Sequence, residues 1–275
     1  VSDFNRDYIL KVTKGTQEIT IVPPFRLQFS CAKSISGDGL NKLQCQISGL
    51  KESTRQVFHK DNDKQALVKI DLSVGYEGRI KRLFVGDLHR GSSVLTSNAY
   101  ATRFEAMDGG KDYLDSYTSA TVTGKENALN RVLLDMPNTT KGKVTFLGGL
   151  IRPKVLMGAS SKLIEDLTGD DESFYIDNGK INVLKPDEVV SSYTPVISAE
   201  TGLINTPEKE EEKVTFETMM NPFVVIGGLL QLQSVVDTRL DGIYKVTDIN
   251  YQGDTMGNDW KQSVTCILAP NFVVI

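Results

Sequence analysis

The feature that most constrains this chain is strict two-residue alternation between short glycine-rich turns. Phe25, Leu27, Phe29 and Cys31 alternate with Arg26, Gln28, Ser30 and Ala32, and after Ser36-Gly37-Asp38-Gly39 the same period returns in Leu43, Cys45 and Ile47. A period of two puts all the apolar side chains on one face of a strand, so these runs predict a hairpin with one buried face. Strand-like runs at 8–13 and 18–22 precede it; runs at 66–74, 80–88 and 100–106 follow, and a short helix is expected over 50–59. Gly75-Tyr76-Glu77-Gly78 joins two of these runs, with glycine supplying the positive φ that such turns need. About six antiparallel strands in a hundred residues predict a small barrel or sandwich and argue against an α/β cofactor fold.

The pattern changes after Asp108-Gly109-Gly110. Thr123-Gly124-Lys125-Glu126 reads as a capping box, followed by Leu129, Val132, Leu133 and Met136 on one helical face and a stop at Pro137. A second helix is expected over 160–167, with Leu163, Ile164 and Leu167 apolar and Gly169 as its stop. Residues 174–177 and 180–184 around Asn178-Gly179 predict a hairpin with a type I′ turn. From Pro195 the β pattern returns: a Glu-rich exposed loop over 207–213, strands near 214–219 and 229–235, another opening at Asp241-Gly242 and running over 243–251, a loop over 253–260, and a last strand over 262–268. The expected fold class is α+β and mainly β, with β units at 1–106 and 191–275 flanking a compact α+β insert at 107–190.

Composition narrows the chemistry. The chain has 275 residues and a formal charge of −4, with 16 Lys and Arg against 11 Asp and Glu in residues 1–106 and 15 against 24 in the rest. Such polarity would serve nucleic-acid binding, complementary contact between copies, or two solvated surfaces that merely differ; the basic half has no Lys/Arg cluster interleaved with aromatics. The two histidines, His59 and His89, stand in different contexts, which leaves zinc-protease and histidine-iron sites without ligands. Cys31, Cys45 and Cys266 lack Cys-x-x-Cys spacing, and their odd number suits a reducing compartment. A Cys31–Cys45 disulfide would meet awkward geometry across opposed strands, so reduced, packed thiols are expected. No apolar run reaches the roughly 18 residues of a spanning helix, and the polar start of the chain does not resemble a signal peptide; no membrane insertion is expected.

Catalytic signatures are weak. Gly-x-Gly-x-x-Gly after a strand, a Walker loop and a Gly-x-Ser-x-Gly elbow are all missing. Asp61-Asn62-Asp63 lacks the glycine and final glutamate of a calcium loop and reads as a turn. Carboxylates such as Glu165/Asp166, Asp170/Asp171/Glu172 and Asp254/Asp259 would serve a glycosidase only if placed across a cleft, one with a raised pKa. Trp260 would either stack on a sugar or anchor the core of the last hairpin. Neither a cofactor nor a metal is expected.

Several stretches, in order, resemble the baseplate hub proteins of contractile phage tails. They are Gly75-Tyr76-Glu77-Gly78 with Leu83-Phe84-Val85-Gly86; Phe174-Tyr175-Ile176-Asp177-Asn178-Gly179; Ser198-Ala199-Glu200-Thr201-Gly202-Leu203-Ile204; Thr218-Met219-Met220-Asn221-Pro222 with Gly227-Gly228; Asp241-Gly242-Ile243-Tyr244-Lys245-Val246; and Gly253-Asp254 with Asp259-Trp260. The resemblance spans about residues 65–265. It implies two similar β-barrel domains per chain and a homotrimeric ring offering six barrels between the sixfold tail tube and the trimeric central spike. It further implies a virion protein assembled in the host cytoplasm, in contact with tube, spike, tape-measure and other baseplate proteins, whose lumen DNA crosses without specific binding. The rival readings are a tail-associated peptidoglycan hydrolase and a carbohydrate- or receptor-binding module.

Overall fold

The computed structural model describes residues 5–35, 40–59, 67–96, 99–146, 153–169, 172–269 and 271–275. The first part holds β1 (Arg6–Lys14), β2 (Gln17–Ile21), β3 (Leu27–Ser34), β4 (Lys42–Ser48), helix α1 (Glu52–Phe58), β5 (Val68–Tyr76), β6 (Arg79–Thr96) and β7 (Ala99–Met107). The middle holds α2 (Gly110–Asp115), β8 (Tyr117–Val122), α3 (Lys125–Leu134), β9 (Thr140–Val144), β10 (Lys154–Ala159), α4 (Ser160–Leu167), β11 (Ser173–Asp177), β12 (Lys180–Leu184) and β13 (Glu188–Val189). The last part holds β14 (Val196–Ile197), β15 (Glu208–Glu210), β16 (Lys213–Met219), β17 (Leu229–Leu232), a 3-10 turn (Thr238–Leu240), β18 (Gly242–Asp254), β19 (Trp260–Leu268) and β20 (Val273–Val274).

The chain is mainly β, and its first and last parts share one thirteen-stranded sheet. The path runs β15-β16-β19-β18-β3-β4-β7-β6-β5-β1-β2, with β17 and β14 branching from β18. β3 and β18 pair antiparallel from Asp248↔Ser34 to Asp254↔Gln28, so strands more than two hundred residues apart form one ladder. Among the described residues the path is open, and its two end strands do not pair with each other. The period of two does what it predicts: Leu27, Phe29, Cys31, Leu43, Cys45 and Ile47 all face one continuous core, which runs on through Phe216, Leu230, Val246, Ile249 and Val264. Each such side chain, fully buried, contributes about 1.5–3 kcal/mol. Phe25 departs from the pattern; it precedes β3 and is 40% exposed.

The middle segment has its own core of Ala128, Leu129, Val132, Met136, Leu156, Leu163, Ile164, Leu167, Phe174, Ile176, Ile181 and Val183. The β11–β12 hairpin serves both cores: Phe174, Ile176, Ile181 and Val183 face this one, while Tyr175 and Leu184 face the core of the large sheet. Asn178 and Gly179 have φ of 54° and 75°, the two positive values of a type I′ turn. Helix α4 covers the expected residues, and Thr168 Oγ1 donates to Ile164 O at 2.9 Å at its end.

Some expectations need correction. The capping box at Thr123–Glu126 does not form: α3 has Gly124 as its N-cap with no side-chain cap, and Glu126 turns instead to Lys141 Nζ at 2.7 Å. The Glu-rich stretch over 207–213 is exposed from Glu208 on, with Pro207 buried, and is no plain loop, because β15 pairs with β16 through Glu208↔Thr215 to Glu210↔Lys213. The strand at 229–235 ends at Leu232, leaving Val235 and Val236 about four-fifths exposed. Gly253 and Asp254, expected in a loop, close β18, and β19 starts at Trp260. All three cysteines are free and buried, with burial pushing the Cys31 and Cys266 thiols up to about 12. The turns at 36–39 and 61–63 and the pair Asp170/Asp171 lie outside the described residues.

Candidate functional site

The motif residues gather mainly at two seams. At the first, the β3–β18 ladder ends on Gly253-Asp254. A Cβ on Gly253 would overlap the Phe29 ring, so glycine is what lets Phe29 meet Trp260 edge-on, centroids 5.8 Å apart and planes at 85°. Asp254 binds Arg26 through two contacts, Nε–Oδ1 at 3.0 Å and Nη2–Oδ2 at 2.6 Å, and also accepts from Gln28 Nε2 at 2.9 Å and Met256 N at 3.0 Å. The hydrogen bond from Arg26 leads the causes that hold the Asp254 carboxyl down to about 2, against the cost of its partial burial. Arg6 on β1 donates to the carbonyls of Asp254, Gly257 and Asn258 and lies over the Trp260 ring at 5.7 Å. Arg6 is also paired in register with Tyr76, and Asn5 Nδ2 donates to Glu77 Oε2 at 3.0 Å, which brings the Gly75–Gly78 hairpin to the same place. Gly78 sits at φ 77° in that turn.

Beside this seam the outer face of the sheet forms a cleft of about 690 Å³ lined by polar side chains, among them Gln28, Gln44, Gln46, Arg103, Glu105 and Gln252. Its guanidinium groups are engaged: Arg90 on Glu105 at 2.6 and 2.7 Å, Arg103 Nε on Gln46 Oε1 at 2.7 Å. Gln46 in turn donates to Gln28 Oε1 at 2.9 Å. The cleft therefore presents amides, the Arg90–Glu105 ion pair and the Arg103 guanidinium.

At the second seam the middle segment is fastened to the sheet by buried carboxylates. Asp108, fully buried, accepts from the backbone N–H groups of Asn178 and Gly179, the latter at 2.7 Å, and so holds the I′ turn. Lys33 of β3 meets Asp177 at 2.5 Å, and Asn41 Nδ2 donates to Ile176 O at 2.7 Å. Burial, followed by the negative charge of Asp177, pushes Asp108 up to about 7. Asp112 accepts from Asn138 N, Asn138 Nδ2 and Thr139 Oγ1 at 2.7, 2.9 and 2.9 Å. Behind the hairpin, a Cβ on Gly227 would overlap the Tyr175 hydroxyl, so glycine there admits the ring, while a Cβ on Gly228 would crowd Val225.

The remaining motif residues are structural and lie apart. Gly202, at φ 109°, packs on Met219 and accepts from Thr218 Oγ1 at 2.9 Å, while Glu200 is exposed in the same turn. Asn221 Oδ1 accepts from Phe223 N at 3.1 Å beside buried Pro222. Gly228 O accepts from Val246 N at 2.9 Å, Gly242 begins β18, and the Tyr244 hydroxyl donates to Leu240 O at 2.8 Å. Arg6, Arg26, Gln28, Lys33 and Asn41 carried no signal in the sequence. Asp108 was visible only as a strand stop.

Of the carboxylates singled out for hydrolysis, Glu165, Asp166 and Asp254 have other employment. Glu165 accepts from Tyr113 at 2.9 Å and pairs with Lys162 at 3.3 Å, and Lys162 also meets Asp166 at 3.5 Å. Asp254, held strongly ionised, is poorly suited to donate a proton to a leaving group. Trp260 is 5% exposed and anchors the core. Among the described residues no group of three or more His, Cys, Asp and Glu could hold a metal ion, and no helix is long and apolar enough to cross a membrane.

This arrangement has counterparts of known structure, all below 10% identity, which share the fold. The 43 kDa tail protein of prophage MuSo2 from Shewanella oneidensis superposes with a TM-score of 0.65 at 8% identity, over 95% of this chain and 98% of that one. A tail protein from Neisseria meningitidis MC58 gives 0.56 at 9% identity, over 94% and 96%. The E. coli c3393 protein, a type VI secretion component described as similar to the T4 bacteriophage tail proteins gp27 and gp5, gives 0.60 at 9% identity, over 94% and 76%. The fold is thus that of tail proteins. Residues 32–266 match the model of one family, and the chain belongs to it: Baseplate hub gp41. No curated protein matches the sequence.

Proposed function

We propose that this chain is a structural subunit of a tail baseplate hub, assembling as a homotrimeric ring that joins the sixfold tail tube to the central spike. The units 1–106 and 191–275 act as two barrel-like halves flanking the insert 107–190, so three chains offer six similar surfaces. The observation that carries this reading is the β3–β18 ladder, which joins the two halves in one sheet, as a symmetry adaptor requires. Tube, spike, tape-measure and other baseplate proteins are its partners in the virion, after assembly in the host cytoplasm. The role is mechanical, without catalysis. DNA crosses the lumen without being held, because phosphate affinity grows with each basic contact and the chain carries a formal charge of −4.

Negative-stain images and mass measurement of purified protein test the proposal. A three-lobed ring with a central hole is expected; a monomer at every protein and salt concentration, alone and with the spike protein, would overturn it. Clearing of cell-wall sugar by the protein, lost in Glu165→Gln or Asp254→Asn, would replace the structural reading with the lytic one.

A further inference from the structure

The cleft on the outer face of the sheet is built from two rows of side chains that cross its strands. In one row Arg103, Gln46, Gln28 and Asp254 stand directly opposite one another on β7, β4, β3 and β18. In the other, two residues along, stand Arg90, Glu105, Gln44, Ser30 and Gln252. Hydrogen bonds run along the first row in one direction: Arg103 Nε to Gln46 Oε1 at 2.7 Å, Gln46 Nε2 to Gln28 Oε1 at 2.9 Å, and Gln28 Nε2 to Asp254 Oδ2 at 2.9 Å. Asp254 is ionised on Arg26 and can only accept, so it fixes which way each amide points. The relay ends on Arg103 with Nε engaged. The two Nη groups of this exposed side chain make no hydrogen bond or ion pair among the described residues.

Arg90 is paired with Glu105 and Arg26 with Asp254, which leaves Arg103 as the cation of the cleft without an anion. Asp259, exposed, stands at the other end, where its carbonyl accepts from Asp254 N at 2.7 Å. Four strand spacings, roughly 19 Å, separate the two ends. Between them Ser30 and Gln252 are exposed, and their side chains make no hydrogen bond among the described residues. Phe29, Cys45 and Phe104 border the cleft but are buried in the core, so no apolar side chain is offered to a ligand.

Most ligand sites of this size are walled by apolar side chains with a few polar groups among them. Amides, a hydroxyl and one unpaired guanidinium suit a ligand that is itself hydroxylated and anionic. Hydroxyls donate and accept as the amides do, and a carboxylate takes two parallel N–H bonds from a guanidinium. A peptide would bring apolar anchors that find no pocket here.

We propose that this cleft binds an acidic saccharide, with Arg103 anchoring its carboxylate and Gln252, Ser30 and Asp259 meeting its hydroxyls. Gln46, Gln28 and Asp254 are positioning residues for the anchor. The site belongs to a single chain and does not rest on the ring reading above.

An array of uronate- and sialate-bearing oligosaccharides, each beside its neutral counterpart, tests the site on the full chain, followed by calorimetric titration of the strongest binder. At least one acidic oligosaccharide is expected to bind about tenfold tighter than its neutral counterpart, the factor that a hydrogen bond to a charged group carries. Arg103→Gln should abolish that preference, and Arg103→Lys, which keeps the charge without the fork, should restore only part of it. Asp254→Asn should lower the acid-to-neutral ratio with Arg103 still present, a change that loss of stability alone would not produce; melting curves check that each variant folds. The absence of any acidic preference, or a preference that survives Arg103→Gln, overturns the site. A polyglutamate peptide or inorganic phosphate bound as tightly as the saccharide, and lost in Arg103→Gln, overturns the saccharide as its ligand. A protein that forms the ring and shows no acidic preference overturns this site and leaves the ring standing.

Discussion

The strand seam, where β3 meets β18, and the carboxylate seam, where the middle segment meets the sheet, hold together parts of the chain that are far apart in sequence, by different means. The first is a backbone ladder of seven register pairs, fixed at its end by Asp254 and Arg26. The second relies on Asp108 and Lys33, buried beneath a hairpin that brings half-buried Asp177 onto Lys33 and whose two faces feed two cores. A ladder spreads its strength over many bonds that change little with solvent. A buried charge cluster concentrates it in a few groups, each costly to leave without its partner.

That contrast can be broken most severely at the carboxylate seam. Lys33→Met leaves buried Asp108 and half-buried Asp177 without the Lys33 ammonium and is expected to cost about 4 kcal/mol in urea unfolding, with part recovered by adding Asp177→Asn. At the strand seam Gly253→Val drives a side chain into the Phe29 ring and should cost about 3 kcal/mol. Adding Phe29→Ala should reduce that penalty, since the two positions share one space; strict additivity would count against the packing described.

Acid should separate the seams by sign. Asp108 is raised from 3.8 to about 7, so the folded form holds an extra proton, and the stability of this seam falls as pH rises from about 4 to about 7. Asp254 is lowered from 3.8 to about 2, so its contribution is present above about pH 4 and is lost as pH falls toward 2. Hydrogen-exchange protection, corrected for intrinsic rate, should therefore rise in 173–184 between pH 8 and 5 and fall in 250–262 below pH 4. Parallel behaviour of the two peptides would refute the assignment. The smallest effect is expected at Thr123→Ala, away from both seams: with no capping bond to lose, Tm should move by less than about 2 °C.

The difference between the seams also explains what could be read in advance. Period-two runs gave the strands, Asn178-Gly179 gave the I′ turn, and the apolar spacing of 160–167 gave α4 to the residue, because each is a local choice of backbone. Arg26 with Asp254 and Lys33 with Asp177 are meetings across 228 and 144 residues, and no local pattern encodes them. Asp108 looked like a turn residue because its partners are backbone amides of another element. The capping box failed for the converse reason: a good local signal lost its glutamate to Lys141.

The β3–β18 ladder also governs the order of events during synthesis. β3 leaves the ribosome with β4 on one side and its other edge open, and the strand that covers that edge begins at Gly242. At ordinary translation speeds the gap lasts roughly 10–40 s. A nascent chain in that interval displays a bare strand beside a half-built core, where two neighbouring polysome products could exchange β18 and tangle. Slow codons or a chaperone acting on the emerging middle segment would raise the yield of native protein, and a circular permutant that places 242–268 ahead of β3 should refold faster than the natural order.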